Sequence, residues 1–344
     1  MTYQLLNTLF VTLDDAYLRL NNEAVEIVHE QATIKRVPLH HLGAIVMFGN
    51  IPISPPLMQR CAAEGRTLVW LDKNGRFMAR VEGPLSGNVL LRRAQHRALD
   101  DPQLACELAR RFVAGKLQNQ YRVLQRAARE QKDSKLRADL QNGLTLLRNY
   151  LTQLESAPDM DSIRGIEGYA AKCYFAQMDA LIVAQRDSFR FERRTRRPPR
   201  DRTNAMLSFV YSLLINDCIS ALEGVGLDPQ IGYLHALRPG RPALALDLAE
   251  ELRPALADRF TISLINLQQI QPHHFEERPG GAVLLNEEGR RELLIAYQKR
   301  KAETIYHPTL EKRIPWGLVP HIQARLLART LRGDIPAYPP FIVR

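Results

Sequence analysis

Apolar and polar positions alternate at a period of about two through residue 82, in short runs rich in branched residues. Strands are expected at 5–11, 16–21, 24–29, 33–37 and 44–48, separated by turn-like breaks such as Asp14-Asp15 and Asn21-Asn22. Residues 54–65 suit a short helix, with Ser54 as N-cap, Pro55 at the first position and Gly65 closing it. Strands at 67–71 and 77–82 follow, joined by Asp72-Lys73-Asn74-Gly75, a strong hairpin signal. Near 83–87 the period lengthens to about 3.6, and amphipathic helices are expected at 88–100, 102–130, 135–157 and 163–183. In the second of these, Leu104, Leu108, Phe112, Leu117, Tyr121 and Leu124 mark the face turned to a core. The remainder reads as chiefly helical up to a Pro-rich end.

The pattern predicts an α+β chain of two domains. Residues 1–83 form a small, mostly β domain without evident chemistry; 84–92 are a linker; 93–335 form a larger all-α domain; 336–344 are a tail. His40 and His41 adjoin each other but have no further ligand at helical spacing. In the tail, Tyr338, Pro339, Pro340 and Phe341 suit either a docking strand or disorder.

Composition narrows the class. Of 344 residues 45% are hydrophobic, enough for a core without cross-links, and Cys61, Cys106, Cys173 and Cys218 include no CxxC pair. They read as reduced thiols in a cytoplasmic protein. No run of eighteen apolar residues and no leader-like N-terminus are present, so no membrane role is expected. The net charge of +10 calls for a polyanion. Residues 186–202 (RDSFRFERRTRRPPRDR) set eight arginines against three acids, and Pro198-Pro199 bars a continuous helix. A mobile basic loop is expected there, either a solvated linker or a phosphate grip using Arg190, Arg193, Arg194, Arg196 and Arg197, with Phe189 and Phe191 stacking on bases.

Three further segments carry candidate chemistry. Glu167 sits on a small-residue, apolar helix; a glycine-rich loop through Asp228 and Gly232 ends at His235; and Asp247 and Glu250 lie one turn apart on a helix bordering Leu244, Leu248 and Leu252. Singly each has an ordinary structural explanation. Together, two carboxylates and an imidazole suit Mg2+ or Mn2+ at a phosphodiester.

With these segments in place the chain resembles the CRISPR-associated adaptation integrase/endonuclease (Cas1) family, in the form that accompanies type I-C systems. The likeness includes the β start, Ser86-Gly87-Asn88-Val89, then Leu91-Arg92-Arg93 and Gln95, the run Asn204 to Tyr211, and the three segments above. The resemblance implies that Glu167, His235 and Glu250 are metal ligands and catalytic, with Asp247 supporting them. The family often has aspartate at the position of Glu250; Glu251 is adjacent but lacks the spacing from Asp247. It implies a metal-dependent DNA endonuclease and integrase, in which the 3′-hydroxyl of a prespacer attacks a phosphodiester of the CRISPR repeat. Double-stranded DNA is then the substrate, Mg2+ or Mn2+ the cofactor, and Arg238, Arg241 and Arg259 hold flanking phosphates. Arg253 either joins them or pairs with Glu250 or Glu251. The partners implied are a second copy, through residues 1–83, a small Cas2 dimer and a Cas4 nuclease. A stand-alone nuclease on branched or single-stranded DNA, or a non-catalytic DNA scaffold, is the alternative.

Overall fold

The structure, a computed structural model, describes residues 7–72, 77–81, 83 and 89–343. The hairpin turn expected at 72–75 lies, past Asp72, outside the described residues, as do 84–88 of the expected linker; residues 89–92 already belong to a helix. Two units result: residues 1–86 with 287–302, and 87–286 with 303–344.

The first unit contains the expected strands. β1 (Asn7–Val11), β5 (Leu42–Phe48) and β6 (Thr67–Leu71) run parallel, and β7 (Phe77–Val81) closes the sheet antiparallel to β6. β2 (Tyr17–Asn21), β3 (Ala24–His29) and β4 (Ala32–Pro38) form a separate antiparallel meander. Period-two alternation directs Leu18, Val25, Ile27, Ile45, Met47 and Leu68 into one core. α1 (Pro55–Ala63) packs there through Leu57 and Cys61, its first turn held by the Leu57 N–H donating to Ser54 Oγ at 3.4 Å.

The second unit begins with α2 (Val89–Asp100), α3 (Pro102–Glu130), α4 (Ser134–Glu155) and α5 (Met160–Ala176). α3 packs against α4, α5 and α7, and its inner face carries Leu108, Phe112, Leu117 and Leu124, as the periodicity predicts. The fourth expected helix, at 163–183, starts earlier at an Asp159 cap and stops at Ala176, giving way to a 3₁₀ turn. α6 (Arg202–Gly224) is the most continuously apolar helix and is largely buried, as a core helix is. α7 (Ala243–Leu252) runs through a π-turn at Arg253–Asp258 into α8 (Arg259–Asn266). The π-turn accommodates Pro254, which has no N–H to give to a regular helical ladder.

Three expectations need correction. The region was expected to be all helical, yet β8 (Phe275–Arg278) pairs with β9 (Ala282–Leu285), where Gly280 and Gly281 supply φ of 85° and 74°. α9 (Glu287–Ala302), expected inside the helical domain, belongs to the first unit, beside β1. A second hairpin, β10 (Thr304–His307) with β11 (Lys312–Pro315), precedes α10 (Val319–Leu331). The tail, for which docking or disorder was expected, is folded back into its own unit: Tyr338, Phe341 and Val343 are buried.

Candidate active site

α5, the loop 225–242 and α7 bring Glu167, His235, Asp247 and Glu250 together, although 83 positions separate the first from the last. The loop owes its position to three fixings. Buried Gln95 of α2 donates Nε2 to the carbonyls of Asp228 (2.8 Å) and Ile231 (3.0 Å) and accepts from the Asp228 N–H (2.9 Å). Gly232 lies so close to α7 that a Cβ there would sit 2.7 Å from Leu244 N, so no larger residue fits without a shift. Arg164 of α5 donates Nε to the Leu234 carbonyl at 2.8 Å, tying the Glu167 helix to the same loop.

Asp247 is the fourth fixing and the most consequential. Fully buried, it accepts the backbone N–H groups of Tyr233 (2.6 Å), Leu234 (3.0 Å) and His235 (3.0 Å). Its Oδ1 also lies 2.6 Å from His235 Nδ1. With the proton on Nδ1, the Nε2 lone pair is left free, and Nε2 lies 3.9 Å from Glu250 Oε1. A carboxylate behind an imidazole is how proteins commonly fix a metal-binding histidine.

Around the carboxylates stand two cations. Arg253 Nη1 pairs with Glu250 Oε1, and its guanidinium lies 4.9 Å from the Tyr211 ring centroid. Of the two roles open to Arg253, the structure shows pairing with Glu250. Lys116 of α3 contacts Glu167 Oε1 and lies 2.6 Å from Glu250 Oε2. Burial opposes charge on Glu250, but Arg253, Lys116 and His235 outweigh it and hold the carboxyl well below the ordinary glutamate range. Burial likewise opposes the Lys116 ammonium, and Glu250 and Glu167 reverse that, raising its pKa. Sequence reasoning missed Lys116. Its signal was a lysine four residues after Phe112, inside the buried stripe of α3.

Glu251 faces away. It accepts from Tyr338 Oη (2.6 Å), Gln323 Nε2 (2.9 Å) and the Phe341 N–H (2.9 Å). Burial pushes its carboxyl up to about 7, the hydrogen bonds offsetting part of the rise. Asn119 completes the anchor, donating to the Phe341 carbonyl and accepting from the Val343 N–H, both at 2.8 Å. At Gly115 a Cβ would lie 2.8 Å from Pro340 and 3.0 Å from the Glu251 Cβ, so glycine lets the tail and α7 press onto α3.

The basic segment divides. Arg190, Arg193, Arg196 and Arg197 are exposed, as is Arg238, while Arg241 and Arg259 are half-buried. Arg194 is instead turned inward, donating to Asn204 Oδ1 (2.6 Å) and Ser208 Oγ (3.1 Å) over the Tyr211 ring. Phe189 and Phe191, expected to stack on bases, are buried, because packing against Phe275 and Phe175 removes more apolar surface from water. With the Phe191 N–H donating to Asp179 Oδ1 (3.0 Å), they pin the segment.

Beneath the site Tyr211 donates to buried Asp258 Oδ1 at 2.6 Å. Burial pushes Asp258 from 3.8 up to about 6, against opposing hydrogen bonds from Tyr211 and Tyr174 and the charges of Arg194 and Arg253. The folded chain therefore holds a proton between these values that the unfolded chain releases. This contribution to stability is full below pH 3.8 and is lost as pH rises through about 6. Asp258→Asn is expected to gain on wild type by about 3 kcal/mol between pH 4 and 7, read from paired melting curves. Parallel curves would refute a raised value.

The donor set fits a divalent cation. Glu250 Oε1 lies 3.9 Å from His235 Nε2, Lys116 links Glu250 to Glu167, and the buried Glu250 Oε2 has no directed hydrogen bond among the described residues, only the Lys116 ion pair.

The family described as CRISPR associated protein Cas1 matches residues 9–299. A relative named CRISPR-associated endonuclease Cas1 1, from Moorella thermoacetica, is 54% identical over 99% of both chains. A protein from Geobacter sulfurreducens named CRISPR-associated exonuclease Cas4/endonuclease Cas1 fusion is 33% identical over 98% of this chain and 60% of its own length. Among solved structures, a Cas1 protein from Thermotoga maritima superposes with a TM-score of 0.80 at 27% identity, covering 95% of this chain and 97% of that one. The same fold occurs in a Cas6-RT-Cas1–Cas2 complex, with TM-score 0.80 and 23% identity, covering 97% of this chain and 36% of that one.

Proposed function

Because the chain belongs to the Cas1 family of CRISPR-associated endonucleases, we propose that it is the integrase that inserts prespacer DNA into a CRISPR array, working in the cytosol of a type I-C system. The observation that supports this reading is that Glu250 lies 3.9 Å from His235 and shares Lys116 with Glu167, three residues from separate segments, with Asp247 beside the imidazole. Cas1 endonucleases are metal-dependent as a family, and here Glu167, His235 and Glu250 would hold Mg2+ or Mn2+. Such a cation, when bound, assists deprotonation of the attacking hydroxyl and offsets charge on the phosphate.

The protein's own groups do the rest. Asp247 keeps Nε2 of His235 turned toward Glu250. Arg253 holds Glu250 in place and adds positive charge where a phosphate must come. Exposed Arg190, Arg193, Arg196, Arg197 and Arg238, with Arg241 and Arg259, grip flanking phosphates and leave sequence unread. In the joining step the prespacer 3′-oxygen bonds to the repeat phosphorus, the repeat P–O bond breaks, and the released oxygen takes up a proton. Two such steps on opposite strands call for two active sites, hence a homodimer and a bridging Cas2 dimer. The fusion of a relative to a Cas4 exonuclease supports a Cas4 partner that trims the prespacer.

The test is joining of an end-labelled duplex into a plasmid carrying the repeat, with Cas2 supplied, in Mn2+, Mg2+ or chelator. The expected result is a branched product that needs the metal. Metal-dependent nicking without joining would favour the stand-alone nuclease. Neither product would favour the scaffold.

A further inference from the structure

Between Glu167 and Glu250 the structure holds an ammonium. Lys116, only 7% exposed, reaches from α3 to touch Glu167 Oε1 and lies 2.6 Å from Glu250 Oε2. Arg253 occupies Glu250 Oε1, so Oε2 is the oxygen open to another cation, and Lys116 stands on it. A divalent cation assigned to these carboxylates needs the same oxygens; the inference rests on that assignment. Two cations cannot share them, because like charges repel strongly in a buried site.

The charge count says when the exchange becomes favourable. Leaving His235 aside, Glu167, Asp247 and Glu250 oppose Lys116 and Arg253, a net charge of −1. A divalent cation alone would drive the site to about +1, and one phosphodiester would return it to neutrality. Lysine suits the move, as a point charge on a flexible four-carbon stem. We propose that Lys116 is a substrate-positioning residue that leaves its carboxylates for the DNA phosphate as the divalent cation enters, so that cation and DNA bind cooperatively. Metal then loads poorly until DNA is seated, which restrains cutting by the idle enzyme.

The test is Mn2+ binding to the full chain, followed by the free-ion electron paramagnetic resonance signal, with and without a short duplex bearing 3′-hydroxyls. The duplex alone is the blank. Wild type is expected to bind Mn2+ about 10-fold more tightly with the duplex present. Lys116→Met is expected to bind Mn2+ about 10-fold more tightly than wild type without DNA, and to lose most of the response to DNA. Lys116→Arg, which keeps the charge, should restore that response. Unchanged affinity and coupling in Lys116→Met would overturn the proposal and leave Lys116 a structural ion pair. Should that variant not fold, Lys116→Gln is read in its place, and wild-type affinity indifferent to the duplex overturns the proposal unaided. Glu250→Gln separates the two ideas: if it binds Mn2+ as wild type does, the ligand assignment has failed, whatever Lys116 does.

Discussion

Replacing Glu250 by glutamine is expected to cut strand joining by at least about 100-fold while the protein stays folded, since even the groups that orient metal ligands are commonly worth 10- to 100-fold. Glutamine keeps the side chain's length and one acceptor oxygen, but a neutral amide is a poor ligand for a hard cation. The choice of glutamine over alanine matters. Glu250 is buried against both Arg253 and Lys116, and truncation would leave two buried cations without their shared partner. In Glu250→Gln, Lys116 keeps Glu167 and Arg253 keeps the Tyr211 ring. His235→Ala should lose joining to a similar degree. Rates are measured on the labelled-duplex assay beside a melting curve for each variant. Undiminished joining by a folded variant would remove that residue from the ligand set.

The largest stability effect is expected at Asp247. In Asp247→Ala the N–H groups of Tyr233, Leu234 and His235 lose their common acceptor, and the imidazole loses its orienting carboxylate. Each stranded buried donor costs about 1–3 kcal/mol, so a loss of about 3–5 kcal/mol is a restrained figure for the set. For a chain of this size that is a fall in Tm of roughly 4–7 °C. Joining should fail too, even below the lowered Tm, because the histidine loop is no longer fixed against α7. A variant that melts with wild type would show that Gln95, Gly232 and Arg164 suffice to hold the loop.

Much of this architecture is legible along the chain because its causes are local. Alternation at period two is a property of neighbouring residues, and it marks β2, β3, β5 and β6 nearly to their ends. The amphipathic stripe of α3 is equally local. Short turns are harder to see: Gly280-Gly281, in the three-residue connection 279–281, marks the β8–β9 hairpin only once four-residue strands are admitted on either side. The assignment of α9 to the first unit had no local mark at all, since an amphipathic helix does not state which core it covers.

The candidate site divides along the same line. By itself the sequence determined the kinds of group present: an acid on a small-residue helix, a histidine ending a glycine-rich loop, and two acids one turn apart. It also carried the family likeness that singles out Glu167, His235 and Glu250. Tertiary structure alone decided what each group faces. It turns Glu251 toward Tyr338 and the folded tail while Glu250, one residue earlier, meets Lys116 and Arg253. It draws Arg194, Phe189 and Phe191 inward from a segment that composition marks as basic surface. It also sets Lys116 between two carboxylates that lie 51 and 134 positions further along the chain. The physical reason is that charge and hydrogen-bonding capacity belong to a residue, whereas burial, pairing and desolvation belong to its neighbours, and packing brings those neighbours from distant parts of the chain.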